Sequence, residues 1–155
     1  MTVALTRRRR TGAAGGSARH VRRAVLATLE AEGAKARDVS ILLTDDPEIR
    51  GLNRTYRGFD KPTDVLAFGL DEAELPEGLA AALAVGPLGD VVISVETARR
   101  QAERRRTSLD QELELLAVHG TLHLLGYDHE RPEDARRMRS RTRSIRRHLA
   151  PHRPV

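Results

Sequence analysis

The sequence predicts an α+β domain in which a small four-stranded mixed sheet is flanked by helices. The prediction rests on a length of 155 residues, on 39% hydrophobic against 32% charged residues, and on short apolar runs that alternate with longer amphipathic segments. A chain of this length suits one hydrophobic core and is too short for two independent ones. We therefore interpret residues 1–155 as a single domain.

Strands are predicted where apolar residues form short runs of strand length. They are a short N-terminal strand and the stretches 39–43, 64–70 and 89–94. An acidic segment with proline and glycine separates the last two strands, and we expect it to be an exposed loop with one helical turn.

Helices are predicted where apolar residues recur at spacings of three and four. They begin after a Gly-rich turn over 11–17, at Asp46, after Ser94, after Ser108 and at Pro132. Asp46 is expected to cap its helix, with Pro47 at the first helical position. Ser94 is expected to cap the next helix, and Ser108 with Gln111 forms a capping-box pattern.

Charge is the most unusual feature of the composition. The chain has 27 basic against 22 acidic residues, and only Lys35 and Lys61 are lysines. The planar fork of arginine suits phosphate oxygens, so nucleic acid is an expected partner, with a merely solvated surface as the alternative. The most basic region begins at Arg131, where nine arginines stand against Glu133 and Asp134. It contains the last helix, about 132–149, which shows one apolar stripe.

Several classes of protein are excluded by composition. The chain contains no cysteine, which excludes disulfide scaffolds, thiolate zinc sites and cysteine nucleophiles, so a metal must lie on His, Asp or Glu. The run from Arg7 to Arg10 is followed by a Gly-rich stretch, which does not have the apolar core of an export signal. No apolar run approaches the roughly 18 residues needed to cross a bilayer. We expect a cytoplasmic protein that does not bind membranes.

Three histidines, His119, His123 and His129, lie in and just after the helix that begins at Ser108. That helix is apolar on almost all sides, which predicts that it is the central, buried helix of the domain. Residues four apart share a helix face, so His119 and His123 can present two imidazoles to one ion. Gly126 permits a left-handed turn that brings His129 back as a third ligand. We predict one zinc ion per chain on these histidines, the alternative being ordinary core or surface histidines.

The number of ligands separates a catalytic from a structural metal. Three protein ligands with one open position are typical of catalytic zinc, whereas Asp128 or Glu130 could close the site as a fourth ligand. We favour Asp128 as a group that orients a ligand. The spacing of the histidines equals that of metzincin proteases, but Gly120 occupies the position of their catalytic glutamate. The sequence therefore predicts a zincin-like helix without the protease base, and a divergent peptidase would need a base from elsewhere.

Three stretches together resemble the YbeY family of bacterial ribosomal-RNA maturation endoribonucleases. They are HGTLHLLGYDH from His119 to His129, YRGFDKPTDVL from Tyr56 to Leu66, and GDVVIS over 89–94. The matches extend from about Leu52 to His129, in the order and spacing of the family. Ala67 and Gly69 depart from it, since we would expect serine and proline there.

The resemblance implies zinc on the three histidines and single-stranded RNA as the substrate. It further implies maturation of the 3′ end of small-subunit ribosomal RNA and ribosome quality control, with ribosomal RNA and the small ribosomal subunit as partners and no small-molecule cofactor. Arg57 falls where the family has an arginine regarded as functionally important, and an arginine near a metal can stabilise the charge that develops on phosphorus. The alternative from another class is a non-enzymatic ribosome-assembly factor with a structural zinc site.

Overall fold

A computed structural model describes residues 3–13, 15–69 and 86–149. The strands in these ranges are β1 Val3–Arg7, β2 Arg37–Thr44, β3 Val65–Gly69 and β4 Gly86–Ser94. The α-helices are α1 Gly15–Ala31, α2 Asp46–Arg57, α3 Val95–Arg105, α4 Leu109–Leu124 and α5 Pro132–Leu149, and a short 3-10 helix spans Arg9–Thr11. The expected acidic loop with one helical turn, over 70–85, lies outside the described residues.

The four strands form one mixed sheet in the order β1-β2-β4-β3. The strands β1, β2 and β4 are parallel, and β3 runs antiparallel to β4. The predicted α+β fold with a four-stranded mixed sheet is therefore confirmed. No helix in the described ranges is both long and apolar enough to cross a bilayer.

Helices cover both faces of the sheet. On one face, Val91 and Ile93 of β4 pack into the main core together with residues of α1, α4 and α5. On the other face, Ile49 of α2 packs against Leu66 of β3 and Val92 of β4. The odd and even residues of β4 thus point to opposite sides, as a pleated strand requires. The predicted central helix is α4, which contacts the sheet and α1, α3 and α5.

Two of the predicted helix caps are confirmed. The Ser94 hydroxyl accepts a hydrogen bond from the Thr97 backbone N–H at 3.2 Å. The Ser108 hydroxyl accepts one from the Gln111 backbone N–H at 3.1 Å, while the Gln111 side chain accepts one from the Ser108 backbone N–H at 3.2 Å. The reciprocal pair is the capping box that opens α4.

The predicted cap of α2 is wrong by one residue. Asp45, not Asp46, is the cap, and its carboxylate accepts a hydrogen bond from the Glu48 backbone N–H at 3.1 Å. Asp46 is thus the first helical residue and Pro47 the second. The Asp46 carboxylate instead accepts a hydrogen bond from the Ser94 hydroxyl at 2.6 Å and thereby joins α2 to α3. Although burial opposes it, hydrogen bonds from Ser94 and its neighbours lower the pKa of Asp46 below its ordinary value.

Candidate active site

A cavity of about 660 Å³ brings the predicted site residues together. His119 and His123 line it from α4, His129 from the loop after α4, and Arg57 from the end of α2. The remaining walls are β3 with the residues just before it and one side of α5. Residues more than 60 positions apart in the sequence therefore meet at one concave surface, as binding and catalytic sites require.

Gly120 lies between the two helical histidines, where α4 crosses the sheet. A Cβ added at Gly120 would lie 2.6 Å from Cγ1 of Val91 and 3.2 Å from Cγ2 of Val65. Any side chain here would push α4 away from β4 and β3, because valine methyls on strands have little freedom to move. The missing protease glutamate thus has a packing reason, since the position has no room for a side chain.

The end of α4 turns the chain back toward the cavity. Gly126 has φ 96°, in the left-handed region, and its N–H donates to the His123 carbonyl oxygen at 3.0 Å. The Tyr127 N–H donates to the Leu122 carbonyl oxygen, also at 3.0 Å. These two bonds form a Schellman motif, which ends the helix and reverses the chain. The predicted glycine turn is confirmed, and it brings the rings of His123 and His129 to a centroid separation of 5.1 Å.

Asp128 orders the loop that carries the third histidine. Its carboxylate accepts hydrogen bonds from the backbone N–H groups of His129, at 2.6 Å, and Glu130, at 3.2 Å. Bonds of this kind stabilise a tight turn in which the aspartate side chain replaces a backbone acceptor. The described hydrogen bonds of Asp128 are thus to the backbone, and its role in orienting a ligand stays a prediction.

The imidazole nitrogens of the cavity are donors that suit zinc. Only two of the three imidazoles, those of His123 and His129, lie at the separation that a shared ion requires. In the described part of the chain, no group of three or more His, Cys, Asp or Glu side chains could hold an ion as it stands. Imidazoles that share one zinc ion at about 2.0 to 2.1 Å, with tetrahedral angles, have ring centroids roughly 5 Å apart. The separation of 5.1 Å between His123 and His129 meets this requirement. His119 lines the same cavity one helical turn earlier.

Burial keeps two of the histidines in the form that binds metals. The pKa of His119 is lowered by burial and by the nearby His123, while the negative charge of Asp64 opposes the shift. The pKa of His123 is lowered by burial and by the nearby His129. Both imidazoles are therefore neutral at neutral pH, with a nitrogen lone pair available to a cation.

Asp64 is a cavity residue that the sequence analysis did not single out. One oxygen of its carboxylate accepts a hydrogen bond from the Val65 backbone N–H at 2.7 Å, and the other from the Gln101 side chain at 3.2 Å. These bonds fix a negative charge beside the histidines. A charged residue at the start of a predicted apolar strand, inside the Tyr56 to Leu66 motif, is the signal that could have identified it.

Arg57 is held at the rim of the cavity by β3. Its Nη2 donates a hydrogen bond to the Ala67 carbonyl oxygen at 2.7 Å, and its guanidinium carbon lies 5.6 Å from the centre of the Phe68 ring. The side chain is otherwise exposed. Since one hydrogen bond uses one of five N–H groups, most of the guanidinium can still bind an anion in the cavity.

Proteins of similar sequence are named as endoribonucleases. The sequence profile of the family described as Endoribonuclease YbeY matches residues 9–150. The Endoribonuclease YbeY of Anaeromyxobacter sp. is 49% identical over 139 residues, which cover 89% of this chain and 67% of that protein. The one of Pelotomaculum thermopropionicum is 48% identical over 124 residues, 79% and 80% of the two chains. The one of Acaryochloris marina is 56% identical over 97 residues, 62% and 54% of the two chains. The chain thus spans between about half and four fifths of these relatives.

A solved structure shares the fold. The solution structure of TM1509 from Thermotoga maritima superposes with a TM-score of 0.59 at 22% sequence identity, covering 99% of this chain and 100% of that one. This similarity supports the arrangement of helices around the sheet. The zincin-like character of α4 stays a prediction.

Proposed function

The chain belongs to the endoribonuclease YbeY family, and we therefore propose that it is a zinc-dependent endoribonuclease that hydrolyses single-stranded RNA. Its role would be maturation of the 3′ end of small-subunit ribosomal RNA and ribosome quality control, with the small ribosomal subunit as partner. The observation that carries the proposal is the convergence of Arg57 and the three histidines on one cavity. The cationic and imidazole side chains of its mixed lining, Arg57, Arg139 and the three histidines, suit a phosphodiester.

The three imidazoles of the cavity would hold one zinc ion. His119 and His123 are neutral at neutral pH, and His123 lies at the separation from His129 that a shared ion requires. When bound, zinc supplies Lewis-acid polarisation of a phosphoryl oxygen or a hydroxide nucleophile at neutral pH. The negative charge of Asp64 beside His119 would favour retention of the cation.

Arg57 would stabilise the negative charge that grows on the phosphoryl oxygens as the bond breaks. Its hydrogen bond to the Ala67 carbonyl fixes the guanidinium before substrate arrives, so little entropy is lost when the remaining N–H groups bind phosphate. A planar fork can donate two parallel hydrogen bonds to one phosphate, whereas an ammonium group is a single point charge.

We expect Arg57→Lys to lower kcat for RNA cleavage by roughly 10- to 100-fold, because lysine keeps the charge but loses the paired hydrogen bonds. The Arg54→Lys variant is the matched control, since Arg54 is exposed on the same helix and does not line the cavity. Its rate should stay near that of the wild type. Single-turnover cleavage of a labelled RNA measures the rates of both variants. Equal rates would show that Arg57 has no catalytic role.

Removal of the metal is the direct test of the proposed chemistry. Elemental analysis should find about one zinc per chain, and treatment with a chelator should abolish RNA cleavage while the circular dichroism spectrum keeps its helical signal. Added zinc should restore the rate. If the folded, metal-free protein cleaved RNA as fast as the zinc form, the mechanism would be wrong. Zinc that binds tightly to a folded protein without any RNA cleavage would instead support the ribosome-assembly factor with a structural site.

A further inference from the structure

A second groove opens from the active-site cavity and runs between α4 and α5. Its volume is about 840 Å³. His119 and Arg139 line both the cavity and this groove, so the two are continuous. A strand bound at the histidines can therefore extend into the groove without leaving the surface.

Three arginines of the groove repeat along α5 at intervals of four residues. Arg139, Arg143 and Arg147 line the groove and are exposed. Residues four apart lie on one helix face, each about 6 Å further along the axis. This rise is of the order of the separation between successive phosphates along one nucleic-acid strand.

The three arginines carry charge that no acidic group in the described part of the chain neutralises. Within the described residues, Arg139, Arg143 and Arg147 form no hydrogen bond and no ion pair. Of the described residues that line the groove, Glu114 alone has a carboxylate, and its oxygen lies 3.8 Å from Nε of Arg146. The groove therefore has a net positive charge even though it contains one acidic residue.

On the opposite side of α5, two arginines have partners within the fold. Arg141 donates to the Glu32 carboxylate at 2.7 Å, and Arg137 lies 5.4 Å from the centre of the Tyr127 ring. Arg137 and Arg141 thus have partners within the fold, whereas Arg139, Arg143 and Arg147 face the open groove. The fourth arginine of the groove, Arg146, donates to the Gln111 carbonyl oxygen at 3.4 Å. A general excess of arginine in the composition does not explain this asymmetry.

We propose that the groove between α4 and α5 binds the phosphate backbone of single-stranded RNA next to the cleaved bond, through Arg139, Arg143 and Arg147. The proposal rests on the proposed RNA cleavage at the histidines. The three arginines span about 12 Å along α5, enough for two to three phosphates. Among the described residues, no Phe, Tyr or Trp side chain lines the groove, so the contacts are mainly with the phosphate backbone and do not depend on sequence.

The test is RNA affinity of a double variant, Arg143→Gln with Arg147→Gln. Arg139 is left in place because it also lines the active-site cavity. Fluorescence anisotropy with a labelled single-stranded RNA, in the presence of a chelator so that nothing is cleaved, gives the affinity at several salt concentrations. We expect an affinity about tenfold lower and a salt dependence shallower by about 1.4 in log–log slope, roughly 0.7 for each lost phosphate contact. The double variant should bind a dinucleotide, which reaches only the cavity, with the same affinity as the wild type.

The matched control is Arg9→Gln with Arg104→Gln, which removes the same charge at exposed positions outside the groove and the cavity. An equal loss of affinity in both double variants, or no loss in either, would overturn the proposal. So would displacement of RNA by polyglutamate at the same charge concentration, which would identify a surface for acidic proteins. Because binding is measured without cleavage, a wild-type protein that binds RNA through the groove but never cleaves it would refute the proposed function alone.

Discussion

Replacement of His123 by alanine is expected to lower RNA cleavage by on the order of 10³-fold, because it removes the middle of the three proposed zinc ligands. His123 is half-buried in the last turn of α4, beside His129 at a ring separation of 5.1 Å. With His123 gone, two imidazoles remain, and zinc should be lost on purification. Zinc content and single-turnover cleavage are the measurements, and RNA affinity in chelator should remain near that of the wild type.

The control for this variant is His148→Ala, since His148 is an exposed histidine on α5 that does not line the active-site cavity. It should keep both zinc and activity. A His123→Ala protein that is folded, without zinc and fully active would refute the catalytic role of the metal. A variant that loses zinc and also unfolds would favour a structural metal, and the unfolding midpoint in urea separates these outcomes.

The second large effect is expected for Gly89→Ala, which should lower the free energy of unfolding by roughly 3 kcal/mol. Gly89 of β4 lies opposite Gly69 of β3 in the antiparallel pair. A Cβ at Gly89 would overlap the Phe68 carbonyl oxygen and lie 2.9 Å from the Gly69 Cα. Because both contacts are with backbone, the strands themselves must separate, and rotation of a side chain cannot relieve the overlap.

Gly51→Ala is the contrasting substitution. Gly51 lies within α2, and a Cβ there would meet no atom within 4 Å. Alanine should therefore raise the free energy of unfolding by about 0.5 to 1 kcal/mol, through the higher helix propensity of alanine. Urea unfolding followed by circular dichroism measures both variants. Equal midpoints for Gly89→Ala and the wild type would show that β3 and β4 leave room for a Cβ at this position.

The features that the sequence predicted correctly depend on residues close together in the chain. The capping box of Ser108 and Gln111, the apolar periodicity of α4 and the turn at Gly126 each involve a few consecutive residues. The alternation of strands and helices likewise predicted the mixed sheet, but not the order β1-β2-β4-β3 of its strands. For the same reason the convergence of His123 and His129 could be anticipated, since only a helix turn and a short loop separate them.

The features that it did not predict depend on distant residues. Asp45 and Asp46 are equivalent as helix caps in a sequence, and the choice between them involves Ser94, about 50 positions away, which holds the Asp46 carboxylate. Asp64 becomes a site residue only because β3 packs beside α4, and Arg139 only because α5 folds back along α4. Periodicity carries no information about such contacts.

The close approach of α4 to the sheet at Gly120 also limits how this protein can evolve. The Cβ of a glutamate at that position would already collide with Val91 and crowd Val65. A mutational route toward peptidase chemistry would therefore have to shorten at least one of those valines first, and each such change would leave a cavity in the core. The first step lowers stability and confers no activity, so selection would oppose it. A packing contact between one glycine and two methyl groups can in this way separate two enzyme chemistries that share the same spacing of histidines.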